Sequence, residues 1–208
     1  MRKKLNPKQL AALVVMLGLV GSSTVWAAGT VEKGTGSGTD IGATSLASKL
    51  NSIAIGGAGK SDKSGSKVFG TNSIGIGTEL TIGAYNKWVA NTIAIGSGHT
   101  IAKGADYAIV LGTEITKTNQ YATVIGYQAE GEKAYAIAVG AQAKANGTSA
   151  IAAGKNANAI GDASVAVGLD SVAALQSIGL GNKAQANKAL SVAIGSGAKT
   201  DAREGVSL

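Results

Sequence analysis

The sequence predicts an all-β fold, a parallel β-roll (solenoid) in which each coil is one repeat of about 14 residues. A pentad of small and β-branched residues that ends in glycine recurs along the chain, and the spacing of the closing glycines settles at 13–14 residues. No proline follows residue 27, so strand pairing is not interrupted. Helix is disfavoured because glycine recurs in every repeat and costs about 1 kcal/mol relative to alanine.

The first 27 residues are predicted to be a signal peptide. Four basic residues stand near its start, and an apolar run spans residues 10–20. That run is shorter than the ~20 residues of a membrane-spanning helix, and Ala27 suits cleavage by signal peptidase. We therefore expect an exported chain in which residues 28–50 form a flexible lead-in and N-terminal cap.

The charge of the chain argues against a nucleic-acid partner. Four of the 19 basic residues lie in the leader, so the rest of the chain has 15 basic against 12 acidic residues. Cysteine is absent. An exported domain without disulfides must gain its stability elsewhere, usually from repetition or oligomerisation.

The repeats occupy residues 51–208. The early spacings of the closing glycines are 21, 19 and 16 residues, so the first coils carry insertions. We expect the closing glycines to stand at the turns between strands. They are Gly56, Gly77, Gly96, Gly112, Gly126, Gly140, Gly154, Gly168, Gly181 and Gly195.

Each repeat also contains a second strand. Alanines three and five residues after a closing glycine flank a polar residue, as in Ala143, Lys144 and Ala145, which predicts one inward and one solvated face. The pentads, such as SVAVG at residues 164–168, are uncharged on both faces. One face can fill the coil, so the other is expected to pack against another subunit, which predicts an obligate oligomer.

The pentads resemble those of a known family. NSIAIG at residues 51–56, NSIGIG at residues 72–77 and the later SVAVG, SIGLG and SVAIG pentads are similar to the YadA-like head of trimeric autotransporter adhesins. The resemblance covers residues 51–208 and implies a left-handed parallel β-roll in a homotrimeric head. It also implies a location on the cell surface, at the outer membrane of a Gram-negative bacterium.

In that family a coiled-coil stalk and a membrane anchor follow the head. We expect residues 51–208 to be a head truncated before any stalk or anchor, with membrane attachment only through a C-terminal region absent from this chain. If the chain ends at Leu208, the head is secreted.

The resemblance implies an adhesin head that binds extracellular matrix or host cells through multivalent, non-enzymatic contacts. The alternative is a structural role in self-association, biofilm cohesion or spacing, without a specific host ligand. A solenoid acyltransferase is disfavoured because a period of 14 is not a multiple of six. We expect no enzymatic activity, no cofactor and no metal site, since cysteine is absent and histidine occurs once.

Candidate ligand contacts are the aromatic residues of the inserted coils, because insertions in repeat proteins often form a binding face. These residues are Phe69, Tyr85, Trp88 and Tyr107. They could instead pad the roll where it deviates from its regular coil. His99 lies in the phrase SGHTIAKG and is predicted to be a solvated loop residue.

Overall fold

A computed structural model describes residues 31–33, 39–41, 45–56, 65–84, 89–101 and 104–208. These residues form a β-solenoid of parallel strands with a coil of about 14 residues, as the repeat predicts. The predicted signal peptide lies outside the described residues. Within the described ranges, no helix is long and apolar enough to cross a membrane.

The described strands are all short, between two and five residues. In chain order they are β1 (Val31–Lys33), β2 (Thr39–Ile41), β3 (Leu46–Ala47), β4 (Ile53–Ile55), β5 (Lys67–Val68), β6 (Ile74–Thr78), β7 (Thr81–Ile82), β8 (Ile93–Ser97), β9 (Thr100–Ile101), β10 (Ile109–Thr113), β11 (Thr123–Tyr127) and β12 (Glu130–Gly131). They continue as β13 (Ile137–Val139), β14 (Lys144–Ala145), β15 (Ile151–Ala153), β16 (Asn158–Ala159), β17 (Val165–Val167), β18 (Val172–Ala173), β19 (Ile178–Leu180), β20 (Gln185–Ala186), β21 (Val192–Ile194), β22 (Lys199–Thr200) and β23 (Val206–Ser207).

Three sheets build the walls of the roll. The pentads form one long sheet of 13 strands, in the order β1-β2-β4-β6-β8-β10-β11-β13-β15-β17-β19-β21-β23. The opposite wall consists of a four-stranded sheet (β3-β5-β7-β9) and a six-stranded sheet (β12-β14-β16-β18-β20-β22). Equivalent residues of successive repeats pair in register, as Ile137 does with Ile151. One period of the sequence therefore corresponds to one coil of the roll.

The N-terminal end of the long sheet departs from this pattern. Strand β1 pairs antiparallel with β2, and β2 then pairs parallel with β4, with Thr39 opposite Ile53. The described part of the predicted lead-in thus adds two strands to the sheet ahead of the first pentad.

Small side chains fill the coils. In β17, Ala166 is buried and Val165 and Val167 are only partly buried, so the β-branched residues point away from the interior. On the opposite wall, Ala145 is fully buried and Lys144 is exposed. The alternation predicted for both strands is observed, and the structure assigns the smaller face of each pentad to the interior.

The interior is wider in the upstream coils. Leu80, Ile82, Ile101 and Ile115 have no exposed surface, where downstream coils bury alanine. His99 is enclosed among them, also with no exposed surface. The prediction of a solvated loop histidine is wrong, because His99 precedes β9 and its ring occupies the interior position that Leu80 occupies before β7.

Two residues of each regular coil adopt a left-handed conformation and turn the chain between the walls. In one coil they are Gln142 (φ 58°) and Ser149 (φ 56°), and most such positions are not glycine. The N–H of Gln142 donates to the carbonyl of Tyr127 at 2.8 Å. Such bonds repeat between coils and offset the cost of a positive φ in residues with a side chain.

The closing glycines stand where a strand of the long sheet enters a corner. Gly112 and Gly168 have φ values of 143° and 132°, a conformation that residues with a side chain rarely adopt. A Cβ atom at either position would also overlap the carbonyl group of the next closing glycine, Gly126 or Gly181. Glycine is therefore needed for both backbone conformation and the close approach of successive coils.

Candidate interaction surfaces

The outer face of the long sheet is a row of large aliphatic side chains. In the single chain they are exposed by 37–41 %, and they project from β8, β10, β13, β19 and β21. Soluble monomers rarely expose a contiguous apolar surface of this kind. The row includes Ile93, Ile95, Ile109, Ile137, Val139, Ile178, Leu180 and Ile194.

The four candidate contact residues do not form one described cluster. Phe69 is half-buried after β5, and its N–H donates to the carbonyl of Ile82 at 2.8 Å. Tyr107 is 50 % exposed at the corner before β10. Tyr85 and Trp88 lie outside the described residues.

Tyr107 belongs instead to a stack of aromatic rings. Its ring centroid is 4.9 Å from that of Tyr121, with an angle of 11° between the planes. Tyr121 is likewise 4.9 Å from Tyr135, at 7°. Sequence reasoning missed this stack, although the spacing of 14 residues between the three tyrosines equals the repeat and was the available signal.

The same corner carries amides in the coils that precede the tyrosines. The side-chain nitrogen of Asn51 donates to the amide oxygen of Asn72 at 3.0 Å, and Asn72 donates to Asn91 at 3.2 Å. Asparagine tolerates the left-handed conformation that these corners need. At this corner, the side chains of successive coils thus change from amides to aromatic rings along the roll.

The opposite corner is polar and borders a shallow groove of about 420 Å³. Nε2 of Gln128 donates to Oε2 of Glu114 at 2.8 Å, and Nε2 of Gln142 donates to Oε1 of Gln128 at 3.4 Å. A hydrogen bond from Tyr127 to Glu114 raises the pKa of that exposed phenol. This surface presents both donors and acceptors to a polar partner.

Glu130 links its own coil to the coils before and after it on the outer wall of the same groove. Its Oε2 lies 2.9 Å from Nζ of Lys117, and its Oε1 lies 3.8 Å from Nζ of Lys144. The hydrogen bond to Glu130 raises the pKa of Lys117. These ion pairs are solvated and contribute little to stability, so they act mainly as a mixed-charge surface.

No described residues offer a metal-binding cluster of three or more histidine, cysteine or acidic side chains. His99 is enclosed, and burial lowers its pKa, against the opposing effect of backbone hydrogen bonds to Ile95, Gly112 and Ile115.

Two comparisons with known proteins bear on these surfaces. The profile of the family described as YadA head domain repeat (2 copies) matches residues 41–58, 118–143, 132–157, 145–171 and 173–198. The matched segments include coils on both sides of the tyrosine stack and most of the regular downstream repeats. No curated protein matched the chain.

Proposed function

We propose that the chain is an adhesin-type surface module, exported to the surface of a Gram-negative bacterium, where it forms a homotrimer and attaches to extracellular matrix or host cells. The matches to YadA head domain repeats support this proposal. The attachment is non-enzymatic and needs no cofactor. Membrane anchoring falls to a segment beyond the head.

The aliphatic row on the long sheet is the observation that supports the oligomer. A coil interior of alanine and serine buries little apolar surface, so the single chain leaves its larger side chains in water. Packing three such faces together removes that surface and adds core to each subunit. The homotrimeric head that the family resemblance implies fits this arrangement.

Repetition supports attachment through many weak contacts. Equivalent surfaces recur from coil to coil, and three subunits multiply them, so modest contacts combine into strong attachment. The aromatic residues of the inserted coils (Phe69, Tyr85, Trp88 and Tyr107) are the proposed anchors, because aromatic side chains supply large contact areas.

A binding assay of the purified chain tests this proposal. Immobilised collagen, fibronectin and laminin are the probes, and Trp88→Ala and Tyr107→Ala are the variants. We expect saturable binding to at least one probe, weakened about tenfold or more by either variant. Tyr127→Ala is the matched control, since Tyr127 is 46 % exposed and lies outside the inserted coils. Absence of binding by an intact trimer would contradict attachment to matrix.

The second candidate function is structural: cohesion between cells or stiff spacing of another domain. The observation that favours it is the unbroken in-register pairing of the long sheet from β2 to β23, which gives a rigid rod. A cell-aggregation assay run beside the binding assay separates the two. Aggregation that persists without matrix binding supports the structural role.

A further inference from the structure

The tyrosine stack is held in place by the backbone. Tyr107, Tyr121 and Tyr135 occupy the same corner of three successive coils, with φ values of 61°, 57° and 61°. The N–H of Tyr121 donates to the carbonyl of Asp106 at 2.9 Å, and that of Tyr135 to the carbonyl of Gln120 at 2.9 Å. Tyr121 and Tyr135 are thus each bonded to the residue that precedes the tyrosine of the previous coil. These bonds hold the backbones of the three tyrosines one coil apart, and the stacked rings follow the same spacing.

The rings are also open to solvent. Tyr107, Tyr121 and Tyr135 are 50 %, 41 % and 55 % exposed, so small oxidants and electron acceptors reach them. Tyr127 is similarly exposed, at 46 %, but no ring among the described residues stacks on it. The chain therefore contains exposed tyrosines with and without a ring neighbour.

Contact between two tyrosine rings favours a specific reaction. A phenol that loses one electron and its O–H proton becomes a radical whose unpaired electron spreads onto the ring carbons next to C–O. Two such radicals in contact join through those carbons, and each displaced ring hydrogen moves to the oxygen. A stack with centroids 4.9 Å apart brings the required carbons close before oxidation begins.

We propose that the stack of Tyr107, Tyr121 and Tyr135 is an oxidative cross-linking site, at which Tyr121 is joined to one of its two neighbours as dityrosine. The oxidant is hydrogen peroxide acting through a haem peroxidase. One carbon–carbon bond forms, two phenols together lose two electrons and two protons, and one peroxide takes them up to give two waters. This modification goes beyond the adhesive function proposed above and does not depend on it.

The carbon–carbon bond would link one coil covalently to the next. It connects residues 14 positions apart, in a chain that has no cysteine with which to form a disulfide. A covalent link of this kind restricts the unfolded chain and so favours the folded state. We expect the oxidised head to unfold at a higher denaturant concentration than the untreated head.

Peptide mapping gives a direct test. The purified chain is treated with peroxide and a haem peroxidase at low protein concentration. Single chains are then separated from cross-linked oligomers on a denaturing gel and digested after lysine and arginine. The three stacked tyrosines fall in three different peptides, residues 104–117, 118–133 and 134–144. We expect a product that joins 118–133 to one of the other two peptides and is lighter than their sum by two hydrogen atoms. Products formed only between chains would overturn the proposal.

Conservative variants identify the ring responsible. Tyr121→Phe keeps an aromatic ring in the stack but removes the phenol that both pairs share, so the within-chain product should disappear. Tyr127→Phe is the matched control and should leave the yield unchanged, although Tyr127 lies in the same peptide as Tyr121. Tyr107→Phe and Tyr135→Phe should each remove one pair and retain the other.

The variants remain informative if Tyr121→Phe alters folding. The wild-type map and the paired results for Tyr107→Phe and Tyr135→Phe assign the linked residues without it. Wild-type yield in a folded Tyr121→Phe chain, or loss of the product in Tyr127→Phe, would overturn the proposal.

Discussion

At the scale of single residues, the buried imidazole of His99 has a defined protonation state. Its Nδ1 accepts a hydrogen bond from the N–H of Ile115 at 3.2 Å, so Nδ1 carries no proton. Its Nε2 lies 3.4 Å from the carbonyl oxygen of Ile95, to which a proton on Nε2 can be donated. The neutral ring with its proton on Nε2 meets both contacts. Burial disfavours the charged form and lowers the pKa of His99 below 6.5.

We predict that the free energy of unfolding falls as the solution is acidified from about pH 7 through pH 6.5. Below its ordinary pKa of 6.5, the histidine of the unfolded chain takes up a proton that the folded chain resists. The loss continues until the pH reaches the lowered pKa of the folded state. Urea unfolding at a series of pH values between 5 and 8 measures this slope.

A single substitution isolates the effect, because His99 is the only histidine in the chain. His99→Leu replaces it with the residue that precedes β7 at the equivalent position, Leu80. The variant should fold. Its free energy of unfolding should not change with pH between pH 7 and the range in which carboxylates titrate. An unchanged slope in His99→Leu would show that another group is responsible.

The sequence did contain a signal that His99 is buried. His99 stands three residues after the closing glycine Gly96, as Leu80 stands three residues after Gly77. The alanines of the later repeats at this position were expected to face inward, but a polar residue at the same position was interpreted as part of a loop. The pairing of β7 with β9 confirms that the two residues are equivalent. The register of the tyrosines was also plain, but their exposed corner position gave no sign that the rings stack.

At the scale of the strand, the two walls match one another in volume in the coils that contain Gly126 and Gly140. Val124 in β11 faces Gly131 in β12, and a Cβ atom at Gly131 would lie 2.7 Å from a methyl group of Val124. In the next coil, Ala138 and Ala145 occupy the same two positions. In these two coils, a large residue on one wall is paired with glycine on the other, or both walls carry alanine.

We predict that substitutions at this pair are strongly coupled. Val124→Ala leaves a cavity and Gly131→Ala crowds the valine, so each should reduce the free energy of unfolding by about 1–3 kcal/mol. The double variant recreates the alanine pair of the next coil and should lose less than the sum by about 1 kcal/mol or more. Urea unfolding of the four chains completes the cycle.

The matched control is a pair of positions that do not touch, Val124→Ala with Ala186→Gly in β20. These two changes lie several coils apart and should add, within about 0.5 kcal/mol. Additivity of the Val124 and Gly131 changes would contradict the proposed fit between the walls. The alternation in the sequence predicts which residues point inward, but not which of them meet across the coil.

At the scale of the whole molecule, most of the fold can be predicted from the repeat period. Ten closing glycines and the alternation around them predict stacked coils with two strands each, and the paired register of the long sheet confirms this. Two features could not be predicted from the period. The left-handed corners use residues as different as Asn91, Tyr121 and Leu190, so composition does not mark them. The aromatic stack depends on packing that a single repeat does not contain.

The last prediction concerns the assembly of subunits, and it rests on the aliphatic row of the long sheet. If three long sheets pack together, a charge on this face must be buried without a partner, which costs about 3–5 kcal/mol in a well-packed site. We predict that Ile95→Asp, and separately Leu180→Asp, weakens association at least a hundredfold. Sedimentation of the purified chains measures the change in subunit association.

The opposite wall supplies the control for the same measurement. Gln185 points outward from β20 and is already polar, so Gln185→Glu adds a negative charge to the rod without entering an apolar face. That variant should sediment as the wild type does. The decisive comparison is between equal charges on the two walls: if Leu180→Asp assembles as well as Gln185→Glu, the aliphatic row is not the subunit interface. If only the charge on the long sheet dissociates the assembly, the aliphatic row holds the subunits together. The interior of each coil is too small to bury these side chains, so they are buried between subunits.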